Sequence, residues 1–165
     1  MVGHELTHGF DDQGRKFDPE GNLRDWWTTE DAKAFEERAE CFIKEYSSFT
    51  PIDDVHLNGK LTLGENTADN GGLRLAFMAL MKSLDGKGQA KIDGFTPEQR
   101  FFLGWGQVWC QNTRPETSRM LIQVDPHSPG RYRVNGVISN MPEFKAAFAC
   151  KDGQPMVREP ACRVW

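Results

Sequence analysis

Phe35, Ala39, Phe42, Ile43 and Tyr46 recur at helical spacing among charged residues. The pattern predicts an amphipathic helix that runs to about Ser47, because Pro51 cannot continue it. Its start is marked by Thr28-Thr29-Glu30-Asp31, which reads as a capping box with Thr28 as N-cap and Asp31 at N3. A second apolar set, Leu73, Leu75, Phe77, Met78, Leu80 and Met81, continues a long helix that opens near Gly64-Glu65-Asn66 and contains Gly71-Gly72. A glycine inside a helix costs about 1 kcal/mol against alanine, so the pair predicts close contact with another helix. Thr96 as N-cap and Pro97 at the first helical position open a third, which carries Phe101, Phe102, Trp105, Val108 and Trp109. Pro142 starts a short helix through Phe148. Residues 1–9 are expected to be helical as well. Residues 11–25, 50–63, 85–94 and most of 111–135 read as loops and turns, and the last fifteen residues as an extended tail. Few segments alternate with period two, so the fold class is mainly α, without internal repeats.

A chain of 165 residues is long enough for one ordinary domain with a real core. Its formal net charge is -4, and no Lys/Arg stripe interleaved with aromatics is present, so nucleic acid is not an expected partner. No apolar run approaches the roughly 18 residues that a membrane span needs. The N-terminus lacks the basic region, apolar stretch and small-residue cleavage site of a signal peptide. Cys41, Cys110, Cys150 and Cys162 form no CxxC pair, which argues against a Cys₄ zinc site. An even number of widely spaced cysteines fits disulfides and an oxidising compartment.

The most informative chemistry lies at the start, in His4-Glu5-Leu6-Thr7-His8. Residues four apart share a helix face, so two imidazoles at this spacing can bind one Zn²⁺, and Glu5 can reach a water on it. A catalytic zinc takes three protein ligands. The chain has four histidines, which narrows the choice, and Glu65 is the best third candidate. A carboxylate opening an otherwise apolar helix needs a partner. Asp69, one turn further on the same face, can accept a hydrogen bond from a ligand imidazole and fix its tautomer. Asp11 or Asp12 could serve the other histidine, with Asp11 preferred. HExxH by itself is moderate evidence, and a helical Glu followed by Asp is common. Their combination in a chain poor in histidine carries the zinc reading. The competing readings are a zinc-stabilised helical module or pseudo-peptidase that binds peptides without cutting them, and a helical interaction domain with a chance HExxH.

Four motifs then stand in order: His4–Asp12 (HELTHGFDD), Gly64–Gly72 (GENTADNGG), Asp125-Pro126-His127-Ser128-Pro129, and Cys162-Arg163-Val164-Trp165. On these the whole chain resembles the C-terminal catalytic part of the neprilysin-like zinc endopeptidases, which include neprilysin, endothelin-converting enzyme and bacterial oligopeptidases. The resemblance implies a gluzincin (thermolysin-like) C-terminal subdomain truncated at its N-terminus. It implies His4, His8 and Glu65 as ligands of one zinc ion, Glu5 as catalytic base, and Asp69 as the residue orienting a ligand histidine. It further implies that His127 stabilises the oxyanion, oriented by Asp125, and that Arg133 holds the substrate backbone. Without the resemblance Arg131 and Arg133 are equivalent, and either could be a solvated loop arginine. His56 reads as structural. Retention of Glu5 and His127 argues against a purely binding role, which needs neither. The implied substrates are short peptides with a large apolar residue after the cut.

The resemblance also implies a Cys41–Cys162 disulfide. Cys110 and Cys150 resemble positions that pair with cysteines near the N-terminus of a much longer ectodomain. Only three residues precede His4, whereas enzymes of this type hold substrate on a sheet edge that precedes the zinc helix. The expectation is a fragment whose partner is the absent N-terminal part of the same enzyme. Such a fragment is expected to bind zinc weakly or fold poorly on its own. Its parent is expected to be extracytoplasmic: periplasmic, secreted or membrane-anchored.

Overall fold

A computed structural model describes residues 1–85, 87 and 90–165; three positions of the expected 85–94 loop lie outside the described residues. Among the described residues there are seven α-helices: α1 (Val2–His8), α2 (Thr29–Ser47), α3 (Leu63–Leu84), α4 (Pro97–Val108), α5 (Pro115–Val124), α6 (Gly130–Ser139) and α7 (Pro142–Ala147). No strand occurs among them, only isolated bridges such as Phe17–Leu23, so the mainly α expectation holds. A single 3₁₀ turn, Gly14–Lys16, interrupts the loop after α1. Among the described residues, no helix is long and apolar enough to cross a membrane.

The helix starts follow from their capping residues. Thr28 accepts a hydrogen bond from the Asp31 amide at 3.1 Å. The box is only half closed, because the short Asp31 side chain accepts from the Thr28 hydroxyl and does not reach back to the Thr28 amide. At α4 the third residue is the longer Gln99, and both reciprocal bonds form, at 3.0 and 3.2 Å.

Two helices break the expectation that residues 111–135 are mostly loop. Pro115 occupies the first turn of α5, and Met120, Leu121, Ile122 and Val124 follow in it, so both signals were present in the sequence although only Ile122 is buried. Helix α6 contains Gly130 and Gly136 and has poor intrinsic propensity. It forms because Tyr132, Arg133, Gly136, Val137 and Ile138 are buried against the rest of the chain. Gly136 lies so close to Tyr46 that a Cβ there would stand 2.7 Å from the tyrosine oxygen.

Helix α3 runs between two apolar clusters. On one side Phe35, Phe42 and Tyr46 of α2 pack with Leu57, Leu63, Ile122, Tyr132, Cys162 and Val164. On the other, Leu73 and Phe77 of α3 pack with Phe102 and Trp105 of α4 and Val137, Ile138 and Met141. The glycine pair of α3 faces α1: a Cβ on Gly72 would lie 2.4 Å from the His4 amide nitrogen, one on Gly71 2.8 Å from Thr7 Cγ2, and one on Gly3 of α1 2.7 Å from the Gly72 carbonyl oxygen. Only glycines allow this approach, and it delivers the histidine face of α1 to the first turns of α3.

Cys41 and Cys162 are joined in a disulfide that ties the tail to α2. The tail is held further by Arg38 Nη1 donating to the Val164 carbonyl at 3.1 Å and by the Cys162 amide donating to Asn140 Oδ1 at 2.8 Å. Cys110 and Cys150 are free thiols.

Candidate metal and catalytic centre

The site forms where α1 crosses α3. His4 is buried, at 6% exposure, and its Nδ1 donates to Asp69 Oδ1 at 2.8 Å. His8 Nδ1 donates to Asp11 Oδ2 at 2.7 Å; Asp11 itself is fixed by accepting the amides of Gln13 and Gly14. Asp11, not Asp12, therefore orients this ring. With both Nδ1 atoms acting as donors, the two neutral rings present Nε2 lone pairs to each other, 3.1 Å apart. Glu65 faces both, with Oε2 3.3 Å from His4 Nε2 and Oε1 3.5 Å from His8 Nε2.

Four electron-rich atoms converging in this way repel one another unless a cation lies among them. A tetrahedral zinc with bonds of about 2.0–2.1 Å holds its ligand atoms roughly 3.3–3.4 Å apart, close to the separations present. The donor set therefore fits zinc. Glu5 also has a carboxylate within 4.8 Å of the two imidazoles. Glu65 is nearer to both rings, and Glu5 is exposed.

Where no cation is bound, a proton takes its place. Hydrogen bonds to Asp69 and then Glu65 raise the His4 imidazole to about 9, against the opposing effect of burial. Burial pushes Glu65 up, but the His4 hydrogen bond and the charges of His127, His8 and Arg133 outweigh it and hold the carboxyl below its ordinary value.

His127, in the loop between α5 and α6, approaches from the other side: its Nε2 is 3.3 Å from Glu65 Oε1. Asp125 Oδ1 accepts from both the His127 amide, at 2.9 Å, and its Nδ1, at 2.7 Å. Burial pushes Asp125 up, but these two bonds and the charges of His127 and Arg133 keep it below the ordinary range.

Arg133 is 6% exposed. Its Nε donates to Asp69 Oδ2 at 2.6 Å and its Nη2 to Asp69 Oδ1 at 2.8 Å, with Glu65 Oε2 at 3.4 Å. The guanidinium carbon sits 4.0 Å from the centroid of the Trp109 ring, a cation–π contact. Arg131 is exposed. Asp69 thus accepts hydrogen bonds from two groups with one carboxylate, the imidazole of His4 and the guanidinium of Arg133. An open cleft of about 280 Å³ adjoins this arrangement, lined by Trp109, Leu121, Ile122, His127 and Arg133 among others. His56 is exposed and remote, touching Thr50 at 3.5 Å.

Every residue singled out in the sequence for the centre is therefore brought together, and three further ones stand beside them. Trp109, Asn66 and Ser128 carry no recognisable chemistry in sequence. Asn66 and Ser128 adjoin Glu65 and His127, and that adjacency is the signal that could have found them.

The family model for Peptidase family M13 matches residues 1–164. The chain is 48% identical to Neprilysin-1 of Caenorhabditis elegans over 171 aligned residues, which cover all of this chain and 23% of that protein. It is 46% identical to endothelin-converting enzyme 1 of Mus musculus, again over all of this chain and 22% of the relative. Among solved structures, the Mycobacterium tuberculosis zinc metalloprotease Zmp1 in complex with inhibitor superposes with a TM-score of 0.94 at 41% identity, covering 99% of this chain and 26% of that one. The chain thus spans about a quarter of the length of these relatives.

Proposed function

The chain belongs to peptidase family M13, and on that premise we propose that it carries a zinc-dependent endopeptidase centre that hydrolyses peptide bonds in small peptides. The observation that carries the reading is the pair of Nε2 lone pairs facing each other at 3.1 Å, each ring anchored behind by a carboxylate and both opposed by Glu65. Structural histidines have no need of this arrangement. In this reading His4, His8 and Glu65 hold one Zn²⁺, and Asp69 and Asp11 keep both imidazoles in the ligating tautomer. When bound, the ion supplies Lewis acidity, making a water acidic and drawing electron density from a scissile carbonyl.

The remaining work belongs to side chains. Glu5, on the solvent side of α1, takes the proton of the attacking water and returns it to the leaving amine. His127 donates from Nε2 to the tetrahedral oxyanion. Because its Nδ1 donates to Asp125, it can do so only as the imidazolium, whose charge Asp125 balances. Removing one such donor typically costs on the order of 10²–10³ in rate. Arg133, stiffened by Asp69 and Trp109, presents its guanidinium beside the cleft and holds a substrate carbonyl. Within the mixed lining of the cleft, Trp109, Leu121 and Ile122 offer an apolar side chain a surface to pack on.

The Cys41–Cys162 disulfide supports an extracytoplasmic location. The catalytic assignment is tested by Glu5→Gln. The variant should retain one zinc per chain by elemental analysis and lose cleavage of a fluorogenic peptide by at least about 10²-fold, in the range of acid–base contributions. Undiminished cleavage by the variant would remove Glu5 from the reaction.

A further inference from the structure

The loop that carries His127 is exposed at its tip yet is held in one place, and the hold comes from the residue after it. Ser128 is 3% exposed, and its hydroxyl donates to Asn66 Oδ1 at 2.8 Å; Asn66 is 1% exposed. Asn66 directly follows Glu65 and Ser128 directly follows His127, so one buried hydrogen bond joins the immediate neighbours of the two groups whose separation the chemistry depends on. The bond is directional on both sides. Asn66 Nδ2 donates to Thr62 Oγ1 at 2.8 Å, and the Thr62 hydroxyl donates in turn to the Asn58 carbonyl at 3.2 Å. This bond fixes the orientation of the Asn66 amide, so that its oxygen faces Ser128. Such a chain of aligned donors strengthens each member in a low-dielectric interior. Pro129 then restricts the backbone on the far side of Ser128, and α6 begins at Gly130.

We infer that Asn66 and Ser128 are positioning residues for the oxyanion-binding step: their hydrogen bond sets the distance between the His127 imidazole and the Glu65 carboxylate. The inference rests on the hydrolytic reading above and deepens it. Asp125 fixes the rotation of the His127 ring but sits on the same loop, so it cannot set the loop's distance from α3. Ser128 can, because its partner belongs to α3. A misplacement of about 1 Å at a reacting group can lower a rate on the order of 10²-fold, so loss of this tether should be felt in turnover.

The test is Ser128→Ala, made in the wild-type chain and again in His127→Ala. In the wild-type background kcat should fall about 10- to 100-fold with KM changed less than about twofold and zinc content unchanged. In the His127→Ala background the same substitution should change kcat by less than about twofold, because the group it positions is gone. Asn66→Leu approaches the bond from the other side, and combining it with Ser128→Ala should be no worse than the more impaired single variant. A readout independent of turnover is histidine-ring NMR: Ser128→Ala should shift the His127 resonances and leave those of remote His56 in place. The inference is overturned if kcat is unaffected in the wild-type background, if the fold-loss is the same with and without His127, or if the His127 resonances do not move. Failure of the hydrolytic reading is recognised separately, by cleavage that survives Glu5→Gln; the NMR comparison decides the tether in either case.

Discussion

In the proposed centre two cations, a proton and zinc, compete for one nitrogen of His4. Asp69 and Glu65 raise its imidazole from the ordinary 6.5 to about 9, so the proton stabilises the fold wherever folded and unfolded chains differ in binding it. The group is raised, so that stabilisation is fully present below about pH 6.5 and is lost as the pH climbs through about 9. Zinc must displace the same proton. The apparent zinc affinity should therefore rise about tenfold per pH unit between pH 7 and 9 through this group and flatten above, as read by competition with a chelator of known pH dependence. A flat profile across that interval would remove His4 from the ligand set. Much at this scale was legible beforehand. Asp69 follows Glu65 by four residues and Asp11 follows His8 by three, and short-range spacing on helices and turns translates directly into facing side chains. The choice of Arg133 over Arg131 was not legible from the residues. Both lie in a stretch that reads as loop, and only the phase of α6 buries one against Asp69 and leaves the other in water.

At the level of elements, the approach of α1 to α3 decides whether a centre exists. Gly72→Ala would drive a methyl to 2.4 Å from the His4 amide nitrogen, forcing the helices apart. We expect a destabilisation of about 1–3 kcal/mol or more, together with weakened zinc binding, seen as a lower melting temperature and a smaller rise on adding zinc. Gly104 of α4 is the control: nothing lies within 4 Å of a Cβ there, so Gly104→Ala should stabilise by up to about 1 kcal/mol through helix propensity. A Gly72→Ala chain as stable as wild type would show that the helices can separate without penalty. The Gly71–Gly72 pair announced this contact in the sequence because two unfavourable residues in an otherwise good helix need a reason. Helix α6 gave no such notice, because its stability comes from tight packing against Tyr46, which no local window contains.

For the molecule as a whole, the disulfide fastens the tail to α2 across a separation of 121 residues. Closing so long a loop removes entropy from the unfolded chain, and loss of a native bridge typically costs about 2–5 kcal/mol. Cys162→Ser should therefore lower the urea midpoint clearly, and adding reductant to the wild type should reproduce the shift. An unchanged midpoint would mean that the polar anchors of the tail at Asn140 and Arg38 suffice. The thiols left over, Cys110 and Cys150, take no part in it.

By itself the sequence determined the helical class, most helix starts, the proposed metal-binding residues and the carboxylates that pair with them. All of these depend on residues within a turn or two of each other, or on motifs that sit in order along the chain. Only the tertiary structure decided that α1 and α3 cross closely enough for four donor atoms to converge. It alone settled that Arg133 and not Arg131 faces them, and that Asn66 and Ser128 join the neighbours of Glu65 and His127. Those outcomes are distances between residues some sixty positions apart, set by how glycines, buried rings and helix phases pack together, and packing is a property of the whole chain.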